Sequence, residues 1–213
     1  MFLSDSRILV PLWSTIPMPN SPDLQSYLSD SALLLDTLRS QPALGDVVSA
    51  SVDEVVGALK AGKPVLTCGN GGSASDALHV SGELVGKFFH NRQALNVLCL
   101  NSNVTVMTAW SNDVDFRSVF SRQVEAHGQE GGILWGFSTS GNSQNVVDAF
   151  QKANSMGMIT IAMTGSSPGL VGKLAQHVIS VPGHDAPSAQ NLHVVLYHYM
   201  CYEIEFRMAG IEA

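Results

Sequence analysis

The chain has 213 residues, 45% of them hydrophobic, with 19 Gly and 9 Pro, which is an ordinary globular composition with length for one substantial core. Its 11 Lys and Arg against 18 Asp and Glu give a formal charge of −7 with no block of like charge, and this argues against a nucleic-acid partner, which needs clustered cations. The three cysteines, Cys68, Cys99 and Cys201, show no zinc-finger or CxxC spacing; they point to a reducing, cytoplasmic setting without a disulfide framework, and no apolar run approaches the ~20 residues of a membrane helix.

Residues 1–20 are broken by Pro11 and Pro17, and their apolar stretch Ile8–Trp13 is too short for a signal peptide. They read as an irregular N-terminal arm ahead of a single domain over 21–213. A helix starts at Ser21-Pro22-Asp23, with Ser21 as N-cap, Pro22 in the first turn and an apolar face of Leu24, Leu28, Leu33, Leu34, Leu35 and Leu38. A second helix over Leu44–Ala61 turns Val47, Val48, Val52, Val55, Val56 and Leu59 inward and completes a helical hairpin.

The pattern then changes. Short apolar runs at Pro64–Cys68, Leu95–Leu100, Ile133–Phe137, Met158–Met163 and Val178–Val181 do not alternate, as strands buried on both faces should not. Helical stretches at Ser73–Phe89, Phe116–Gly128 and Asn142–Met156 lie between them. This order predicts an α/β fold, a three-layer, doubly wound, roughly five-stranded parallel sheet, with ligands outside the carboxyl ends of the strands. The last helix, Ser188–Met208, is apolar almost all round, so it is buried or lies in a subunit interface. With the two leading helices it is expected to form the core of a homo-oligomer.

Two loops follow strands and open helices, Cys68–Ser75 and Phe137–Ser143. Glycine admits an anion to the backbone, helix N-termini present free N–H groups, and Ser and Thr hydroxyls add neutral donors. Either loop alone fits a plain βα turn; two at one sheet edge favour an anion site. Neither contains the Lys of a Walker A loop. Gly69-x-Gly71-x-x-Ala74 matches a relaxed dinucleotide fingerprint, but the second strand ends at Asn101-Ser102-Asn103 without the acid that pattern needs. A phosphate monoester on a polyhydroxylated ligand suits this serine-rich cradle better.

His79 and Glu83 stand at i, i+4 on one helical face, fit to share a metal or to act as acid and base, or simply to pair on the surface. The last helix carries Gln190, His193 and His198. The two histidines are about 140° apart around the axis, so spacing leaves open which of them faces the site.

Asn70-Gly71-Gly72-Ser73-Ala74-Ser75-Asp76-Ala77-x-His79-x3-Glu83-Leu84-x-Gly86 resembles the signature of the sugar isomerase (SIS) domain in phosphoheptose isomerases. Ser138-Thr139-Ser140-Gly141-Asn142-Ser143-x-Asn145-Val146 resembles that family's second phosphate loop, and Asn112-Asp113, Phe120–Ala126 and Thr164-Gly165 follow in the expected order. The likeness runs from about Leu24 to Glu205 and implies a flavodoxin-like SIS fold. It further implies an aldose–ketose isomerase interconverting sedoheptulose 7-phosphate and D-glycero-D-manno-heptose 7-phosphate, the first step toward activated heptose for cell-surface glycans such as lipopolysaccharide. The enzyme would be a cytoplasmic homotetramer with one Zn²⁺ per subunit.

By position, the resemblance implies zinc ligands His79, Glu83, Gln190 and His198, and so selects His198 over His193. Sugar contacts would come from Asn70, Gly71, Gly72, Asn112, Asp113 and Gln190, and phosphate contacts from Ser73, Ser138, Thr139, Ser140 and Ser143. Glu83 would be the carbon base and His198 the acid or base at the sugar oxygens. Lys87 stands where the family has Arg, and Ala186–Asn191 where it has Thr-Pro-Arg-Ile-Gln-Glu. These departures keep open an isomerase of another phosphorylated sugar; a second alternative is a non-catalytic SIS protein of the replication-initiator-associating type, against which the joint retention of His79, Glu83, Gln190 and His198 favours the enzyme.

Overall fold

A computed structural model describes residues 23–210. The chain begins with α1 (Leu24–Arg39) and α2 (Leu44–Lys60). Alternating elements follow: β1 (Val65–Gly69), α3 (Gly72–Val85), β2 (Val97–Cys99), α4 (Val104–Asp113), α5 (Val119–His127) and β3 (Ile133–Ser138). The chain then continues through α6 (Gln144–Ser155), β4 (Ile159–Thr164), α7 (Gly169–Leu174), β5 (His177–Ser180) and α8 (Ala186–Met208). The five strands form one sheet of order β2-β1-β3-β4-β5, parallel at every pairing, as the alternation of strand and helix requires.

Strand side chains alternate between two cores. Val65, Ile133, Trp135, Phe137, Ile161 and Met163 face a cluster with α2, α3 and α8. Leu66, Cys68, Leu134 and Ala162 face a second cluster with α5, α6 and α7. Both faces are covered, so β1 and β3 are buried along their whole length and show no polar alternation. Cys68, Cys99 and Cys201 are buried and unpaired, and burial pushes the Cys68 and Cys201 thiols up.

The structure corrects several boundaries. The N-cap of α1 is Asp23, whose carboxylate accepts from the Ser26 N–H (3.0 Å), and the helix starts at Leu24; Ser21 and Pro22 lie outside the described residues, as does the 1–20 arm. The helix expected over Ser73–Phe89 ends at Val85. Beyond it, Glu205 holds the chain in a different path: its buried carboxylate accepts the backbone N–H groups of Phe88, Phe89 and His90 (3.0, 2.6 and 3.0 Å) and pairs with Arg92 (3.2 Å). Helix α8 starts two residues early, at Ala186, where Asp185 and Ser188 form a capping box. It is not buried all round. Leu192, Leu196, Met200 and Ile204 pack inward, while Val195, Tyr199 and Tyr202 join Leu24, Leu28 and Leu33 of α1 among the exposed apolar side chains.

Candidate active site

The chain leaves β1 to one side to build β2 and returns on the other side as β3, so the loops after β1 and β3 diverge at the carboxyl edge of the sheet. At the first loop the Asn101 side chain accepts from the Gly69 N–H (3.2 Å) and donates to the Gly69 carbonyl (2.9 Å). Gly71 has φ 57°, a left-handed value that glycine adopts without cost, and it opens α3. In the second loop Ser138 is buried and its hydroxyl donates to Ser143 Oγ (3.3 Å). Ser140 Oγ accepts from the Asn142 N–H (3.2 Å), and the Thr139 carbonyl from the Gly165 N–H (3.0 Å).

The side chains of Asn70 and Asn145 bond each other reciprocally (2.7 and 2.9 Å) and tie the two loops together. Neither Gly71 nor Ser143 turns a side chain onto the helix it caps. Two helices of 14 and 12 residues thus begin at this edge from opposite faces of the sheet, neither capped by the side chain of its N-cap residue, a setting that favours an anion.

Helix α3 carries His79 and Glu83 from this edge toward α8. His79 Nε2 lies 3.0 Å from Glu83 Oε1 and 3.4 Å from His198 Nε2, and one ligand atom from each of the three residues falls within 4.8 Å of the others. Tetrahedral zinc holds its ligands at ~2.1 Å and hence about 3.4 Å apart, so the triad fits such an ion with little closure. Helix packing resolves the choice between the histidines of α8. His198 meets His79, whereas His193 is fully buried, its Nε2 donating to the Thr164 carbonyl (3.1 Å) and its Nδ1 3.8 Å from Asp76.

Gln190 stands elsewhere on the same helix pair. Its amide lies against Gly72, where a Cβ would come within 2.5 Å of it, at the first turn of α3 and beside the phosphate-favouring edge. Ser73 is buried below it. Asn112 and Asp113 are exposed at the C-terminal end of α4, bonded to each other (2.8 Å), and no hydrogen bond joins them to the other candidate residues among those described. Lys87 is exposed on the segment that Glu205 holds. Asn191 donates to the Tyr27 hydroxyl (3.1 Å) and ties α8 to α1.

Sequence reasoning missed two groups here. Asn145 stands in the quoted loop motif, and its burial gives it structural weight there. Tyr197 counted only as an apolar residue of α8, yet its hydroxyl is 2.9 Å from His79 Nδ1. Burial, then the nearby Asp76 charge, raises its phenol above the ordinary range, so the hydroxyl stays protonated.

The SIS domain family matches residues 26–165. The chain belongs to the SIS domain family. Among its relatives is the phosphoheptose isomerase of Crocosphaera subtropica, 45% identical over 158 residues that cover 73% of this chain and 81% of the relative. The phosphoheptose isomerase of Akkermansia muciniphila is 36% identical over 188 residues, 88% of this chain and all of the relative. A solved phosphoheptose isomerase from Francisella tularensis superposes with a TM-score of 0.80 at 31% identity, covering 84% of this chain and 95% of that one. Within the SIS family the chain therefore groups with the phosphoheptose isomerases and is an isomerase. No described helix is long and apolar enough to cross a membrane.

Proposed function

We propose that this SIS-domain enzyme interconverts sedoheptulose 7-phosphate and D-glycero-D-manno-heptose 7-phosphate, supplying activated-heptose biosynthesis in the cytoplasm. The observation that carries the reading is the convergence of His79, Glu83 and His198 on one point of the α3–α8 seam, on a chain whose relatives are named phosphoheptose isomerases. The substrate phosphate is taken by Ser73, Ser138, Thr139, Ser140 and Ser143 at the N-termini of α3 and α6. No cation is needed in that cradle, since two helix ends supply partial positive charge. Asn70, Gly71, Gly72 and Gln190 hold the sugar hydroxyls, and Asn112 with Asp113 completes the sugar contacts.

Moving the carbonyl from C2 to C1 requires removing one carbon proton and returning it to the neighbouring carbon. Glu83 takes the proton from C1, leaving an enediolate, and delivers it to C2. His198 transfers a proton between the two sugar oxygens, so that charge never accumulates on either. His79 holds Glu83 in place through their 3.0 Å contact. His79, Glu83 and His198, with Gln190 of α8, would hold Zn²⁺; such an ion supplies Lewis-acid polarisation of the carbonyl. A metal on Glu83 would lower its basicity, so its two roles compete.

Exposed apolar residues on α1 and α8 support a homo-oligomer, which we take to be a tetramer built on these helices. Three unpaired cysteines support a reducing compartment. The domain is read as 21–213, with 1–20 as a separate arm. One observation favours a second reading, an isomerase of another phosphorylated sugar: in Ala186–Asn191 the Ser188 and Asn191 side chains are engaged with Asp185 and Tyr27.

The deciding experiment is turnover of sedoheptulose 7-phosphate followed by NMR of the sugar, with and without a chelator. Formation of the aldoheptose 7-phosphate is expected, with loss of rate on chelation. Absence of turnover, with turnover of another phosphoketose, would replace the first reading with the second.

A further inference from the structure

His79 has two ring nitrogens, and the proposed chemistry uses only one. Nε2 faces Glu83 and His198. Nδ1 faces the hydroxyl of Tyr197 at 2.9 Å, the one hydrogen-bond partner it has among the described residues. The Tyr197 ring is 1% exposed and wedged edge-on against three others: His79 (centroids 5.4 Å apart), His198 (5.1 Å) and Phe137 of β3 (6.1 Å). The hydroxyl is therefore delivered to Nδ1 by a side chain with little freedom to turn, rooted between the sheet and both site histidines.

A histidine holding a metal through Nε2 must carry its proton on Nδ1, and that proton needs an acceptor. Without a cation, Nε2 must instead carry the proton toward the Glu83 carboxylate, and Nδ1 then needs a donor. A neutral hydroxyl serves both cases, accepting in the first and donating in the second. A carbonyl or a carboxylate could only accept.

We propose that Tyr197 is the positioning residue of the metal site, fixing the ring plane of His79 in either tautomer so that Nε2 can bind the ion. This inference rests on the metal reading above, and the two separate experimentally. Tyr197→Phe removes one oxygen and keeps the wedged ring; Tyr199→Phe, on the exposed side of α8, is the control. Each metal-free protein is titrated with Zn²⁺ against a chromophoric chelator. Wild type and Tyr199→Phe are expected to bind equally, and Tyr197→Phe about 10- to 100-fold more weakly, with an unchanged melting temperature for the metal-free form.

A Tyr197→Phe affinity within threefold of wild type, on the order of measurement scatter against that expected loss, would overturn the inference and leave the metal reading standing. No Zn²⁺ bound by wild type would overturn both. Should the variant fail to fold, long-range ¹H–¹⁵N spectra of wild type at about pH 8, above the ordinary histidine range, give the answer. His79 is expected to move from the Nε2–H to the Nδ1–H tautomer on Zn²⁺ addition and to show a cross-peak to the Tyr197 hydroxyl in both forms, and loss of that cross-peak in the zinc-bound protein refutes the inference.

Discussion

Gly72→Ala separates site geometry from stability. Gly72 is the first residue of α3 and does not have a positive φ, so alanine suits its backbone. The added Cβ would lie 2.5 Å from both Nε2 and Oε1 of Gln190, whereas ordinary contact starts at 3.4 Å, so the amide must retreat by the difference, 3.4 − 2.5 = 0.9 Å. The obstacle is the far end of a flexible side chain, so the retreat uses Gln190 torsions and leaves the backbone in place.

Alanine for glycine at a compatible position stabilises by about 0.4–1 kcal/mol through the unfolded chain, and about 1 kcal/mol moves Tm by roughly 2–4 °C at this length. The melting temperature should therefore hold or rise slightly. Misplacing a contacting group by about 1 Å costs on the order of 10²-fold in rate, so kcat/KM for the heptose phosphate should fall by about that factor. The assay is steady-state turnover beside a thermal melt, run also on Gln190→Ala and the double variant. If Gly72→Ala acts through Gln190, the double variant is little worse than Gln190→Ala alone. A Gly72→Ala enzyme with wild-type kcat/KM would refute the assignment of Gln190 to the site. A fall in Tm of more than about 5 °C would refute the claim that only a side chain moves.

Glu83→Gln keeps the shape of the side chain and removes its basicity, so kcat should fall by about 10²–10⁴-fold while calorimetry still detects substrate binding; full activity would discard Glu83 as the base. Burial alone would raise the Glu205 carboxyl, but the N–H groups of Phe89, His90 and Phe88 and the charge of Arg92 outweigh it and hold it below the ordinary range. A depressed carboxyl contributes stability above its unfolded pKa and loses it as pH falls through the folded one. The gap in Tm between wild type and Glu205→Gln should thus be widest near neutrality and close below about pH 4, and a gap constant across that range would contradict this account.

The local half of this protein was legible in its sequence. Five apolar runs became the five strands because each is long enough for a strand and none alternates, and parallel strands with helices on both faces need that pattern. His79 and Glu83 met because i, i+4 spacing places them together on any helix. Helix α4 left little trace, since it fully buries no side chain and packs only the half-buried Met107 and Trp110 against the second core; α7, a six-residue helix that follows Pro168, is too short for periodicity to show.

Tertiary structure decided the rest, because it depends on which distant groups become neighbours. His193 and His198 share a helix, and spacing could not rank them. The Thr164 carbonyl and Asp76 draw one into the core, and α3 brings His79 to the other. The stretch after Val85 has a helical pattern, yet Glu205, more than a hundred residues later, takes its N–H groups and ends the helix. Tyr197 is apolar to any periodicity count, and only the docking of α8 on α3 turns its hydroxyl into a partner of His79. Periodicity reports which face of an element is buried; it carries no information about which partner a buried polar atom will find, and the site is made of such atoms.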